Sequence, residues 1–207
     1  MPTQQEKIIK KAGVEDKILQ ILYFAEVNLE CSRVVLDYLS KYKSNPLGHT
    51  ILLNLPKGKY LILCGNNHFF EAVELISGLL YPFNEKEISF DLWEKIGNLK
   101  ISNVIQNVKD NFKSQKFLEL RQNFIAHKNI KKAGDPDVIT VLPIRKQLID
   151  ELTKIIQELQ QEALNIFEDP TSNNYLLENS DGLKIFLEEA QQKLDKEVAA
   201  KINRFKI

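Results

Sequence analysis

Cysteine is nearly absent: the 207-residue chain holds two, Cys31 and Cys64. Two thiols build neither a disulfide framework nor a cysteine-based zinc site. Such a chain fits a reducing cytosol most simply. Glycine and proline are scarce, at eight and seven, which excludes a linker-rich or collagen-like chain. Net charge is missing too, because 28 Lys and Arg balance 28 Asp and Glu. That removes the global electrostatic footprint of a protein that coats nucleic acid, while leaving room for a small local site. No apolar run approaches the roughly 18 residues of a membrane helix. The opening residues MPTQQEKIIKKAGVEDK lack the apolar stretch of a signal peptide. The expectation is a soluble, cytoplasmic protein with no membrane contact. At 43% apolar and 27% charged residues, the chain is globular rather than disordered.

What the chain does have is helical periodicity. Ile18, Ile21, Leu22, Ala25, Leu29, Leu36 and Leu39 recur at steps of three and four, one buried stripe on a long helix. Ser44-Asn45-Pro46-Leu47-Gly48 ends it. Thr50–Leu55 and Tyr60–Cys64 are short apolar runs around Pro56-Lys57-Gly58-Lys59. They fit either a β-hairpin or short irregular helical pieces, since periodicity cannot type such short runs. Asn66 or Asn67 is then positioned to cap a helix carrying Phe69, Val73, Ile76 and Leu80. Ser89 starts a short helix with Leu92, Trp93 and Ile96 that Gly97 closes. From Ile101 a helix resumes, slips phase at Lys113-Ser114-Gln115-Lys116, and restarts at Phe117. A loop at 131–137, a helix from Pro143 to before Pro170, a polar loop and a last amphipathic helix complete the chain. The reading is one all-α domain over residues 1–207, a helical bundle with a short β-hairpin near residues 50–64 left open. Whether the last helix packs on this chain or on a partner is undecided by the sequence.

One segment carries chemistry: Phe117-Leu118-Glu119-Leu120-Arg121-Gln122-Asn123-Phe124-Ile125-Ala126-His127-Lys128. On a helix, Phe117, Leu120 and Phe124 form a stripe, with Arg121 on one flank and His127 on the other. The two are roughly 120° apart and about 9 Å along the axis. A guanidinium against an apolar face needs a partner or an anion, and its planar fork suits phosphate or carboxylate. Histidine exchanges protons near neutral pH. Together they suffice for phosphodiester chemistry. His127 moves a proton at an RNA 2′-hydroxyl or a leaving oxygen, and Arg121 stabilises charge on the phosphate. Asn123 lies beside His127 and can orient a substrate group. The bland alternative pairs Arg121 with a carboxylate on another helix and leaves His127 at a helix C-terminus, where the dipole favours it.

The string Arg-Gln-Asn-Phe-Ile-Ala-His-Lys resembles the signature of the HEPN superfamily, an Arg followed four to six residues later by His. Its spacing and its ending are most similar to the abortive-infection branch. The resemblance covers about a dozen residues. It implies a helical bundle, a homodimer, and a metal-independent ribonuclease of a toxin–antitoxin or antiviral defence system, with RNA as substrate and an antitoxin as partner. It also implies that Arg121 and His127 are the catalytic pair and that those of two protomers line a cleft between them, as a two-fold interface allows. Gln122 departs from the Asn, Asp or His common after the Arg; with Asn123 and Lys128 it is a candidate for substrate binding. No cofactor or metal is implied. Some members of the superfamily have lost catalysis and serve as binding or dimerisation modules, which is the alternative reading.

Other residues are weaker candidates. Lys131 and Lys132 suit RNA phosphates but equally a solvated loop. His68 and Glu71 have a metal-ligand spacing but no second pair to complete a set. His49 reads as incidental. Pro56-Lys57-Gly58-Lys59 and Gly65-Asn66-Asn67 lack the full phosphate-loop pattern. Cys64 is read as inert, and Trp93 as core.

Overall fold

The computed structural model describes residues 4–42, 44–97, 100–122, 146–167 and 177–204, and these are helical with short connections and no strand. The first helix, α1, runs Gln4–Lys41, 38 residues or about 57 Å at 1.5 Å per residue. It is the spine of the bundle. Its buried residues form two stripes rather than the single stripe its periodicity suggests. Val14, Ile18, Leu22, Ala25 and Leu29 enter one core, and Cys31, Val35 and Tyr38 enter another. The step from Leu29 to Cys31 turns about 200° around the helix, at about 100° per residue, and so moves burial to nearly the opposite face. Leu36 stays with the first core and Leu39 with the second.

Residues 50–64 form no hairpin. They belong to two helices, α2 (Pro46–Asn54) and α3 (Pro56–Leu80). Both prolines occupy the first helical turn, where the missing N–H costs nothing. A residue before proline is steered out of the helical region. Asn45 (φ −126°, ψ 86°) and Leu55 (φ −72°, ψ 134°) take that role. Pro46 therefore begins α2 instead of merely ending α1, and Pro56 begins α3 instead of turning a hairpin. The Asn45 carboxamide accepts a hydrogen bond from the Gly48 N–H at 3.0 Å, completing the cap of α2. Asn66 and Asn67 are interior residues of α3 and cap nothing. Ile51, Leu52, Leu55 and Leu61 bury on one side as helical neighbours would, and the alternation a strand requires is not met.

Helix α3 runs antiparallel to α1, with Gly65 against Val35 and His68 against Asn28. Helix α4 (Phe90–Gly97) starts as expected at Ser89, whose Oγ accepts from the Leu92 N–H at 3.1 Å. Trp93 is core, and its indole N–H donates to Glu15 Oε1 at 2.7 Å. Helix α5 (Asn103–Ser114) is capped by Ser102, which accepts from the Ile105 N–H. The break after it falls where the phase slips. Lys116 takes φ 64°, the left-handed region that L-residues rarely enter. Residues 117–122, α6, then resume the helix. Helix α7 (Lys146–Ile166) packs on α1 and α5. The last helix, α8 (Leu177–Arg204), packs on α1 and α2 of this same chain. Leu187, Leu194 and Val198 close the second core, and Tyr38 donates to Asp195 at 2.8 Å across the junction. No described helix is long and apolar enough to cross a membrane.

Candidate functional site

Arg121 comes from the α5–α6 break. Phe112 at the end of α5 and Phe117 at the start of α6 are both fully buried, with ring centroids 5.3 Å apart. This aromatic pair pins both ends of the break. Arg121 follows Phe117 by one helical turn, so it projects from the same side. It is only 6% exposed. Leu120 is half-buried against the core, while Gln122 faces solvent. Asn123, His127, Lys128, Lys131 and Lys132 lie outside the described residues, as does the expected relation of Arg121 to His127.

The surroundings of Arg121 come from the end of α3 and the turn after it. Its Nη1 donates to the Tyr81 carbonyl at 2.9 Å. Tyr81 is the C-terminal cap of α3, where unsatisfied carbonyls give the helix a partial negative charge. The guanidinium also lies on the ring of Phe83, 3.8 Å from its centroid, a cation–π contact. Tyr81 is itself fixed, with its hydroxyl donating to the Lys109 carbonyl at 2.7 Å and its ring against Phe112. Glu87 holds the turn. Its carboxylate accepts from the Phe83 N–H at 2.8 Å and from the Asn84 amide at 2.6 Å.

The electrostatics leave Arg121 only partly spent. It makes no ion pair among the described residues. Burial pulls its guanidinium below the ordinary value, and the fields of Glu74 and Glu87 oppose that pull. Nε is buried with no hydrogen-bond partner. One face of the planar group is covered by Phe83 and one nitrogen serves Tyr81, so the Nε edge keeps unused donor capacity. The carboxylate partner that the bland reading requires is not among the described residues.

Arg33 is a useful contrast. It borders a groove of about 150 Å³ between α1 and α7. There its Nη2 donates to Thr153 at 2.7 Å, with Asp150 and Glu30 carboxylates each at 3.8 Å. Its Nε, like that of Arg121, is buried without a hydrogen bond, so the difference between the two guanidiniums is the ion pairs that Arg33 makes.

The remaining candidates fall elsewhere. His49 is half-buried in α2. His68 Nδ1 lies 2.7 Å from the Asn28 carboxamide oxygen. No group of three or more His, Cys, Asp or Glu among the described residues is placed to hold a metal. Gly58 serves packing, since a β-carbon there would fall 2.0 Å from the Leu52 carbonyl. The continuous α3 also sets Cys64 and His68 one turn apart, which a hairpin over 50–64 would not. Tyr81, Phe83 and Glu87 escaped the sequence reading. The available signal was Phe83 itself, a large aromatic between Pro82 and Asn84, where turn chemistry favours small polar residues.

Comparison with protein-family models, with curated proteins and with solved structures returns no match. The family resemblance stands on the Arg121-to-Lys128 segment.

Proposed function

We propose that the chain is a HEPN-type, metal-independent endoribonuclease of a prokaryotic toxin or antiviral defence system, acting as a homodimer. Arg121 and His127 are its catalytic pair. The observation that carries this reading is Arg121: a buried guanidinium with an unpaired Nε and no ion pair among the described residues. Burial without a counter-ion is costly, and an arriving anion relieves that cost. A phosphate oxygen suits the planar fork edge-on; Phe83 covers a face of the group rather than its edge, and the buried Nε on that edge lacks a partner. An all-helical bundle is the architecture the resemblance calls for.

In the proposed reaction His127 takes the proton of an RNA 2′-hydroxyl. The 2′-oxygen then attacks the adjacent phosphorus and the 5′-oxygen leaves with a proton, giving a 2′,3′-cyclic phosphate. Arg121 stabilises the charge that builds on the non-bridging oxygens.

The test is RNA cleavage by the purified protein in chelator, comparing wild type with His127→Ala and Arg121→Ala. Cleavage by wild type alone, with cyclic-phosphate ends, supports the reading. Products with 3′-hydroxyl ends, or loss of activity in chelator, overturn it. A second reading is a non-catalytic binding or dimerisation module. The bond from Arg121 to the last turn of α3 favours it, because that bond gives the residue a structural task. Folded protein that cleaves no RNA, alone or freed of partners, would favour this second reading.

A further inference from the structure

Phe83 is 71% exposed, yet it is held in place. An exposed phenylalanine in a turn normally has no fixed orientation. Here the Phe83 N–H donates to Glu87 Oε2 at 2.8 Å, and Glu87 Oε1 accepts from Asn84. Asn84 Oδ1 in turn accepts from the Lys86 N–H at 3.0 Å. The inner face of the ring lies 3.8 Å from the Arg121 guanidinium carbon. The outer face meets solvent. A cation beneath one face draws the ring's π-electrons inward, so the outer face favours an electron-rich aromatic partner.

We infer that Phe83 is a stacking platform for an unpaired RNA base, purine in preference, beside the phosphate that Arg121 meets. The inference deepens the reading proposed above and rests on Arg121 meeting RNA. The placement suits a nucleotide, since a base flat on the outer face lies across one aromatic ring from the Arg121 guanidinium, 3.8 Å beneath its inner face. Fixing the ring in advance lowers the ordering cost of binding. Aromatic stacking is the common means of holding bases that are not in a duplex. A paired base offers no free face, so the platform selects single strands or loops. Charge on the neighbouring elements agrees. Lys113 and Lys116, exposed at the α5–α6 break, make no ion pair among the described residues and suit a backbone leading to the site.

The test measures binding of a short single-stranded 2′-O-methyl oligoadenylate by fluorescence anisotropy, and of the same strand annealed to its complement. The 2′-methyl group blocks cleavage, so binding is read by itself. Wild type, Phe83→Leu and Phe83→Trp are compared, with circular dichroism and melting as controls for folding. The expected result is tighter binding of the single strand than of the duplex. Phe83→Leu then weakens single-strand binding about ten-fold, in the range measured for loss of one stacked base. Phe83→Trp retains binding, and its indole fluorescence is quenched on adding the strand, beyond any change from buried Trp93 in wild type. Unchanged single-strand binding in folded Phe83→Leu overturns the inference, as does equal affinity for duplex and single strand. A Phe83→Leu effect confined to self-association, read by sedimentation, assigns the ring to a protein contact and also overturns it. The two proposals separate cleanly. Phe83-dependent binding by a wild type that cleaves no RNA keeps this inference and removes the nuclease. Cleavage whose KM ignores Phe83→Leu does the reverse.

Discussion

Gly65 in α3 lies directly against Val35 in α1: a β-carbon on the glycine would fall 2.8 Å from Val35 Cγ1 and 2.9 Å from Val35 Cβ. The long antiparallel contact of these helices passes through that missing side chain. It also holds α3 in the register that brings its last turn to Arg121. Gly65→Ala is therefore expected to destabilise the fold by about 1–3 kcal/mol, the usual cost of overpacking. Val35→Ala in the same chain should recover part of the loss, a coupling that a double-mutant cycle reads. Gly78, in the same helix, has nothing within 4 Å of its β-position. Gly78→Ala should instead stabilise by up to ~1 kcal/mol through helix propensity. Urea unfolding measures all of these; equal stability of the two alanine variants would refute the close contact.

Asp195 anchors α8 to α1 by accepting hydrogen bonds from the hydroxyls of Tyr38 and Tyr42. Burial, then hydrogen bonding to each other and to Asp195, pushes the Tyr38 phenol well above its ordinary value, and burial with Asp195 raises Tyr42. The folded state thus holds these protons more tightly than the unfolded chain does. Their contribution to stability is complete below the unfolded value, about 10, and declines as pH rises beyond it. Melting temperature should fall steeply in alkali, and a Tyr38→Phe, Tyr42→Phe double variant should lose much of that slope. At neutral pH Tyr38→Phe is expected to cost about 1 kcal/mol, one hydrogen bond.

Long periodic elements were legible in the sequence, while short junctions were not. The apolar spacing of α3's second half names Phe69, Val73, Ile76 and Leu80, all of them buried. The Ser89 cap and the slip at 113–116 were legible too, one from a hydroxyl before an apolar run and the other from a phase change. Residues 50–64 misled because Pro-Lys-Gly reads as a turn, whereas proline is as well suited to a helix's first turn. Deciding between these needs tertiary information, here the approach of Gly58 to the Leu52 carbonyl. The two stripes of α1 merged into one for a similar reason. Spacing shows that Leu36 and Val35 are both apolar but not that two different cores claim them. At the site, Arg121 was found from its own segment. Tyr81 and Phe83 were not, because they meet it across 40 and 38 residues of chain, and no local pattern encodes a contact to a backbone carbonyl.

His68 gives the fold an acid sensitivity. The Asn28 amide nitrogen donates to the Phe24 carbonyl at 2.9 Å, which turns the Asn28 oxygen toward His68. That oxygen can only accept, so His68 carries its proton on Nδ1. Burial lowers the imidazole's pKa, and the field of Glu71 opposes the shift without reversing it. The unfolded chain therefore takes up this proton first as pH falls. Stability is complete above the unfolded value, about 6.5, and declines as pH drops through and below it. His68→Gln should show a shallower loss of melting temperature from pH 7 to about 5. A slope identical to wild type would place the acid sensitivity elsewhere.

Arg121 has two tasks, and two substitutions separate them. Its hydrogen bond to Tyr81 closes the end of α3, and its charge rests on Phe83. Arg121→Ala removes both and should destabilise by about 2–3 kcal/mol, typical for a charged hydrogen bond lost from a buried site. Because the residue is buried, that loss should change little with added salt. Arg121→Lys keeps a cation able to reach the carbonyl, so it should recover roughly half of the stability. It does not restore the planar fork, and the proposed RNA cleavage should fall about 100-fold, as when one transition-state donor is removed. Urea unfolding and the chelator-treated cleavage assay give the two readouts on the same samples. Full cleavage by Arg121→Lys, with stability alone affected, would confine Arg121 to closing the end of α3.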